Sequence, residues 1–187
     1  MRQLLLLRHA KSLWDDPKLS DHARPLNARG RTSARAMRLR MRELGLAPDL
    51  VLVSSARRTL QTLEGLAPWD DTPLVEPMDA LYLASARSML DVVRDVAETV
   101  RSVLLIGHNP GMHELAMTLV GAQAFTHNAL ATHGHFDPPD LLAQLSEGYP
   151  TGALAEFTVA GPWGTLGEGG GRLQHFIAPR DLADPGA

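Results

Sequence analysis

Four consecutive leucines, Leu4-Leu5-Leu6-Leu7, end abruptly at Arg8-His9. Successive residues of a strand face opposite sides of a sheet, so this run needs apolar cover on both faces. A half-solvated antiparallel sheet does not supply that cover. A mainly parallel sheet sandwiched between helices does. Open sheets of that kind bind ligands beyond the carboxyl ends of their strands, which is where Arg8 and His9 stand. A second segment repeats the arrangement: Val103-Leu104-Leu105-Ile106, then Gly107-His108-Asn109-Pro110.

The rest of the chain alternates in the way such a fold requires. Lys11 to Leu26, broken by Pro17 and Pro25, reads as loop. Asn27 can cap a helix that carries Ala34, Met37, Met41 and Leu44 at helical spacing and stops at Gly45. Its arginines, from Arg29 to Arg42, read as a solvated outer face. Leu50–Val53 is a second buried strand, followed by a helix from Arg57 to about Leu66. Pro73–Glu76 reads as a short third strand and Ala86–Val100 as an amphipathic helix. Asn109 is expected to cap the next helix, with Pro110 at its first position and Leu119 near its end. Thr126–His135 is ambiguous, and Pro138–Leu145 could be a short helix. Strands are expected at Ala153–Val159 and Leu173–Ile177, separated by a glycine-rich turn at 164–171. The expected fold is a three-layer α/β sandwich with a mainly parallel central sheet. One domain is expected over 1–187, with a loose tail from about Pro179.

Composition narrows the function. The formal net charge of -3 argues against a general nucleic-acid binder. With no cysteine, disulfides, thiol nucleophiles and cysteine-based zinc sites are excluded, and a reducing cytoplasm fits. The apolar start is too short for a signal peptide, and no run reaches membrane-spanning length.

Histidines and arginines at strand ends make a phosphate site with a nucleophile. A neutral imidazole can attack phosphorus, neighbouring guanidinium charges keep it neutral, and guanidinium forks bind phosphoryl oxygens. The sequence supplies Arg8, His9, Arg57 or Arg58, and His108, with a helix start at Asn109 as a further anion-binding element. No metal or other cofactor is needed. Competing motifs are weaker. His113-Glu114 lacks a histidine at Met117, so no zincin is formed. His127, His133 and His135 have no acidic ligand spaced with them. The glycine run lacks the Lys-Ser or Lys-Thr of a P-loop, Ser54 and Ser55 form no nucleophile elbow, and the tryptophans are isolated.

At these residues the chain resembles the histidine phosphatase superfamily, also called phosphoglycerate-mutase-like. Arg8-His9-Ala10-Lys11-Ser12 is similar to its Arg-His-Gly signature, in the Ala-Lys-Ser form of small SixA-type phosphohistidine phosphatases. Arg24–Gly30, Ser54–Thr62, Ile106–Gly111 and Tyr149–Ala153 resemble further family segments, in family order. The resemblance implies His9 as nucleophile, Arg8 and Arg58 as phosphoryl ligands with Arg57 as the fallback, and His108 as a hydrogen-bonding partner. Ser12 and Asn109 join the phosphate-binding set. A general acid is expected after the third strand, at Glu76 or else Asp79. The substrate class implied is phosphohistidine on a signalling or phosphotransfer protein. A small phosphate ester, a mutase reaction and a silent phosphoprotein-binding module are the alternatives.

Overall fold

In a computed structural model, which describes residues 1–14, 16–121 and 141–182, six strands form one sheet in the order β3-β2-β4-β1-β5-β6. The strands are β1 (Arg2–Arg8), β2 (Leu50–Ser54), β3 (Leu74–Met78), β4 (Ser102–Gly107), β5 (Leu154–Val159) and β6 (Gly171–Ile177). The first four pair in parallel, and the β5–β6 hairpin adds an antiparallel margin along β1. Among the described residues the helices that cover the sheet are α1 (Ala28–Glu43), α2 (Arg57–Leu66), α3 (Ala86–Arg94), α4 (Gly111–Val120) and α5 (Leu141–Glu147).

The leucine run explains the layering. Leu4 and Leu6 join a core with Met89 and Val93 of α3 and Leu115 and Leu119 of α4. Leu5 and Leu7 face the other way, against Met37 and Met41 of α1 and Leu66 of α2. All four are at most 1% exposed, so β1 ties the two cores together. Asn27 caps α1 through its side chain, accepting from the Gly30 N–H. Gly30 has a second duty. A Cβ there would lie 2.1 Å from the Lys11 carbonyl oxygen, so only glycine lets α1 press against the loop that leaves β1.

Three expected elements differ. The helix after Ser85 stops at Arg94 rather than Val100. Turns closed by Val96 N–H to Val93 and Val100 N–H to Ala97 then feed the chain into β4, while Val96 stays in the core. Asn109 does not cap α4. Pro110 holds the N-cap position, the helix starts at Gly111, and the Asn109 amide donates to the Tyr149 carbonyl instead. The tail is not loose from Pro179: Pro179–Asp181 is a short 3₁₀ turn, and Leu182 packs against the core beneath α1 and α2. The ambiguous stretch Thr126–His135 lies outside the described residues. The short helix expected from Pro138 is seen as α5.

Leu5→Ala and Leu6→Ala each remove a fully buried isobutyl group from a different core. Each should cost about 2–5 kcal/mol of unfolding free energy, read from urea melts, with the two cores damaged to a similar degree.

Candidate phosphoryl-transfer site

Two adjacent parallel strands, β1 and β4, pair Arg8 with Gly107, so His9 and His108 emerge side by side. Their ring centroids are 5.2 Å apart, with the planes tilted by 53°. The end of β1 is held by a positive-φ glycine: the Gly152 N–H (φ +78°) is shared between the Arg8 and His9 carbonyls. Arg8 NH1 donates to the Tyr149 carbonyl at 2.7 Å, and the Asn109 amide reaches the same oxygen. Arg58, in the first turn of α2, is 3% exposed and points between the strands toward His108. Arg57, its neighbour, is exposed.

Hydrogen-bond chemistry fixes both tautomers. The Nδ1 of His9 lies 2.8 Å from the Ala10 carbonyl, which can only accept. Nδ1 therefore carries the hydrogen, and Nε2 presents its lone pair. A guanidinium can only donate, so Nδ1 of His108 accepts from Arg58 at 3.1 Å, and its Nε2–H donates to Ser54 Oγ at 2.7 Å. Burial pulls the His9 pKa down to about 4, with Arg58, Arg8 and Arg24 adding to the effect against the Ala10 bond. Burial, then His9 and Arg58, take His108 down to about 3. Both rings are neutral at pH 7. Desolvation leads in each case, where the sequence reading had credited the arginines.

One carboxylate organises the cations, and it is Asp21. Arg58 NH1 donates to the Asp21 carbonyl at 2.6 Å and NH2 to its Oδ2 at 3.0 Å. Tyr82 donates its phenol hydrogen to the same Oδ2 at 2.7 Å. Arg24 bonds Oδ1 at 2.5 Å while its NH2 donates to Ser12 Oγ at 2.6 Å. The phenol bond, then the two guanidinium charges, hold the Asp21 carboxyl below its ordinary range. Ser12 is thus buried and engaged with Arg24. Burial and the Arg58 charge lower the pKa of Arg8.

The structure brings together Arg8, His9, Arg58 and His108, with Asn109 beside Arg8. It does not bring Glu76 to them. Glu76 is exposed on the edge strand β3, in register with Leu52 and two residues short of the strand end. Asp79 follows β3 in a 3₁₀ turn, also exposed. Sequence reasoning passed over Asp21, Tyr82 and Ser54. Asp21 had one available signal: a buried arginine demands a carboxylate, and Asp21 stands in the loop between the two arginine segments.

The arrangement can hold a tetrahedral anion. Arg58 spends three of its five N–H groups on Asp21 and His108, leaving Nε and one NH1 hydrogen without a partner among the described residues. Arg8 spends one. Among the described residues, no group of three or more His, Cys, Asp or Glu side chains is placed to hold a metal ion, and no helix is long and apolar enough to cross a membrane.

Comparison with known proteins agrees with this geometry. Residues 4–81 match the model of the histidine phosphatase superfamily (branch 1). The SixA structure from Agrobacterium tumefaciens is 30% identical, covers 95% of this chain and 98% of its own, and superposes with a TM-score of 0.75. The SixA structure from Nakamurella multipartitia is 29% identical over 95% of this chain and 96% of that one, with a TM-score of 0.78. Rv1276c, an uncharacterized protein of Mycobacterium tuberculosis, is 32% identical over 174 residues, 93% of this chain and 100% of the relative. The chain belongs to the histidine phosphatase superfamily, and within it is similar to the SixA structures.

Two outcomes follow. Arg58→Ala should lower kcat/KM by about 100-fold, roughly 2.7 kcal/mol of transition-state binding, while Arg57→Ala stays within about threefold of the parent. The pH profile should show no loss near 6.5. Protonation removes the His9 lone pair, so the rate should hold as pH falls and drop only toward about 4, with the same pKa visible by NMR of the His9 ring. Stability follows the same sign: the unfolded chain binds protons at the ordinary 6.5, so stability is lost as pH falls between these values.

Proposed function

We propose that the protein is a phosphatase that takes phosphate from phosphohistidine on another protein and passes it through a phosphohistidine at its own His9. The observation that carries the reading is a neutral His9 whose Nε2 lone pair is left free by the Nδ1 bond to Ala10, within electrostatic reach of Arg58 and Arg8. The imidazole attacks phosphorus in line with the leaving nitrogen. The His9 Nε2–P bond forms as the substrate N–P bond breaks, and Arg8 and Arg58 hold the phosphoryl oxygens through the transfer. Water then attacks phosphorus, the His9 N–P bond breaks, and inorganic phosphate leaves.

His108 supports the reaction from beside His9. Both its nitrogens are engaged before substrate arrives, so donating to a phosphoryl oxygen requires its Nε2–H to leave Ser54. Asn109 joins Arg8 at the Tyr149 carbonyl, and Ser12 acts on the set through Arg24.

The choice of phosphohistidine over a phosphate ester rests on the leaving group. An alkoxide needs an acid to protonate it. A phosphorylated imidazole that carries a proton on its other nitrogen departs as neutral imidazole without one. Glu76 and Asp79 stand off the site, and Asp21, bound by two arginines and a tyrosine, is held in its ionised form. Among the described residues no free carboxylic acid stands beside His9, which suits the phosphoramidate. The likeness to the SixA structures supports the same class, with a cytoplasmic signalling or phosphotransfer protein as partner.

Brief reaction with a phosphohistidine protein, followed by acid quench and alkali quench, tests this. An alkali-stable, acid-labile phosphoenzyme should form and be absent in His9→Ala, whose circular dichroism stays native. Activity should survive exhaustive chelation. Substantial turnover by His9→Ala, or a kcat/KM about 100-fold higher on a small phosphate ester, would overturn the reading.

A further inference from the structure

Beside the proposed site lies a second cavity of about 250 Å³ whose charged lining is cationic throughout. Lys11, Arg29 and Arg180 surround it, with the hydroxyl-bearing Ser33 and Thr151 in its wall. These residues come from four separate places in the chain, and close backbone contacts bring them together. Asn27 N–H donates to the Lys11 carbonyl, and Gly30 presses on the same carbonyl, which sets Arg29 beside Lys11. Gly152 binds the Arg8 and His9 carbonyls and packs against Pro179, which sets Thr151 and Arg180 beside both.

The cations here are held open. Among the described residues, Lys11 and Arg29 have no carboxylate within ion-pair distance, and Arg180 has only its neighbour Asp181 at 3.7 Å. Elsewhere some arginines are paired, Arg2 with Glu98, Arg42 with Asp70 and Arg94 with Asp91, while others such as Arg57 and Arg101 have no ion pair among the described residues. A chain of net charge -3 has carboxylates to spare, yet none lines this cavity. A second basic groove, lined by Arg31, Arg35 and Arg38 between α1 and α2, differs in two ways. It contains Glu64, and none of its lining residues belongs to the proposed site. The Lys11 cavity adjoins a trough that reaches that site and also carries Glu147. Lys11 is two residues from His9, and Pro150 and Arg180 also line the trough that holds Arg8 and Asn109.

We infer that Lys11, Arg29 and Arg180 form a docking subsite for an acidic segment of the substrate protein, one that carries Asp or Glu side chains next to its phosphohistidine. The inference rests on the phosphohistidine reading above and adds the recognition of the flanking sequence. The charge complement is direct: two cations without an ion pair, a third paired only with its chain neighbour, and two hydroxyl groups suit a pair of carboxylates, and they favour encounter as well as orientation. A bound carboxylate would share Lys11 with the loop that follows His9, so docking sets the phosphorylated side chain over Nε2.

The test uses the full chain and two phosphohistidine peptides of equal length, one flanked by Glu and one by Gln, with phosphoramidate as a small substrate. The parent should prefer the Glu peptide about tenfold in kcat/KM at low salt, and the preference should fade in 0.5 M salt. Arg29→Gln/Arg180→Gln should lose the preference while its phosphoramidate turnover stays within about twofold of the parent. A parallel measurement reads binding alone, by fluorescence anisotropy of the unphosphorylated Glu peptide. The parent should bind it in a salt-dependent manner, and the double variant about tenfold more weakly. Equal use and equal binding of the two peptides by the parent would overturn the subsite, as would a double variant that keeps the preference. If neither peptide nor phosphoramidate is turned over but the anisotropy difference persists, the phosphohistidine reading fails and the acidic-segment site stands.

Discussion

Arg58 is a guanidinium with almost no contact with water, and a charge so placed must be partnered within the protein. Much of the site follows from that requirement. Asp21 supplies a backbone carbonyl and a carboxylate oxygen, which draws the loop before α1 across the mouth of the sheet. Tyr82 and Arg24 join the same carboxylate and bring in the turn after β3 and the segment around Ser12. His108 accepts the remaining NH2 hydrogen, and this sets its tautomer. The charge also reaches His9, where it assists burial in keeping the ring neutral. One buried cation therefore coordinates four stretches of chain.

The backbone provides the second constraint. A side chain at the end of a strand is held in one place only if the strand end is fixed. The Gly152 N–H lies between two successive carbonyls of β1 and its continuation, and the Tyr149 hydroxyl donates to the Leu6 carbonyl from beneath. Together they replace the hydrogen bonds that β1 would lose as it leaves the sheet. The imidazole of His9 is then oriented locally, by its own bond to Ala10.

Much of this was legible in the sequence because it rests on short-range pattern. Leu4–Leu7 announced a strand covered on both sides, and histidines at the ends of two such strands announced where chemistry would gather. Arg58 could be separated from Arg57 only by the spacing to Gln61 and Thr62, since both begin the same helix. What was not legible depends on contacts between distant segments. Asp21 looked like one polar residue in a loop, and nothing local showed that a helix 37 residues away would bury an arginine against it. Glu76 was the carboxylate at hand near the third strand, without a strong motif around it, but strand β3 lies at the sheet edge and carries it into solvent. Asn109 had the chemistry of a cap and was claimed by Tyr149 instead.

The position of β1 also bears on how the molecule comes into being. Its neighbours are β4 and β5, about a hundred and a hundred and fifty residues further along, where Gln3 meets Ser102 and Thr158. Contacts that span most of a chain close late, after loop entropy has been overcome. A ribosome therefore exposes His9 long before it has made the strands that hold it. Until β5 and Gly152 arrive, the leucine run is an uncovered apolar segment and His9 is an ordinary solvated histidine. The surroundings of His9 are in this sense the last thing the fold completes, although it is among the first residues synthesised.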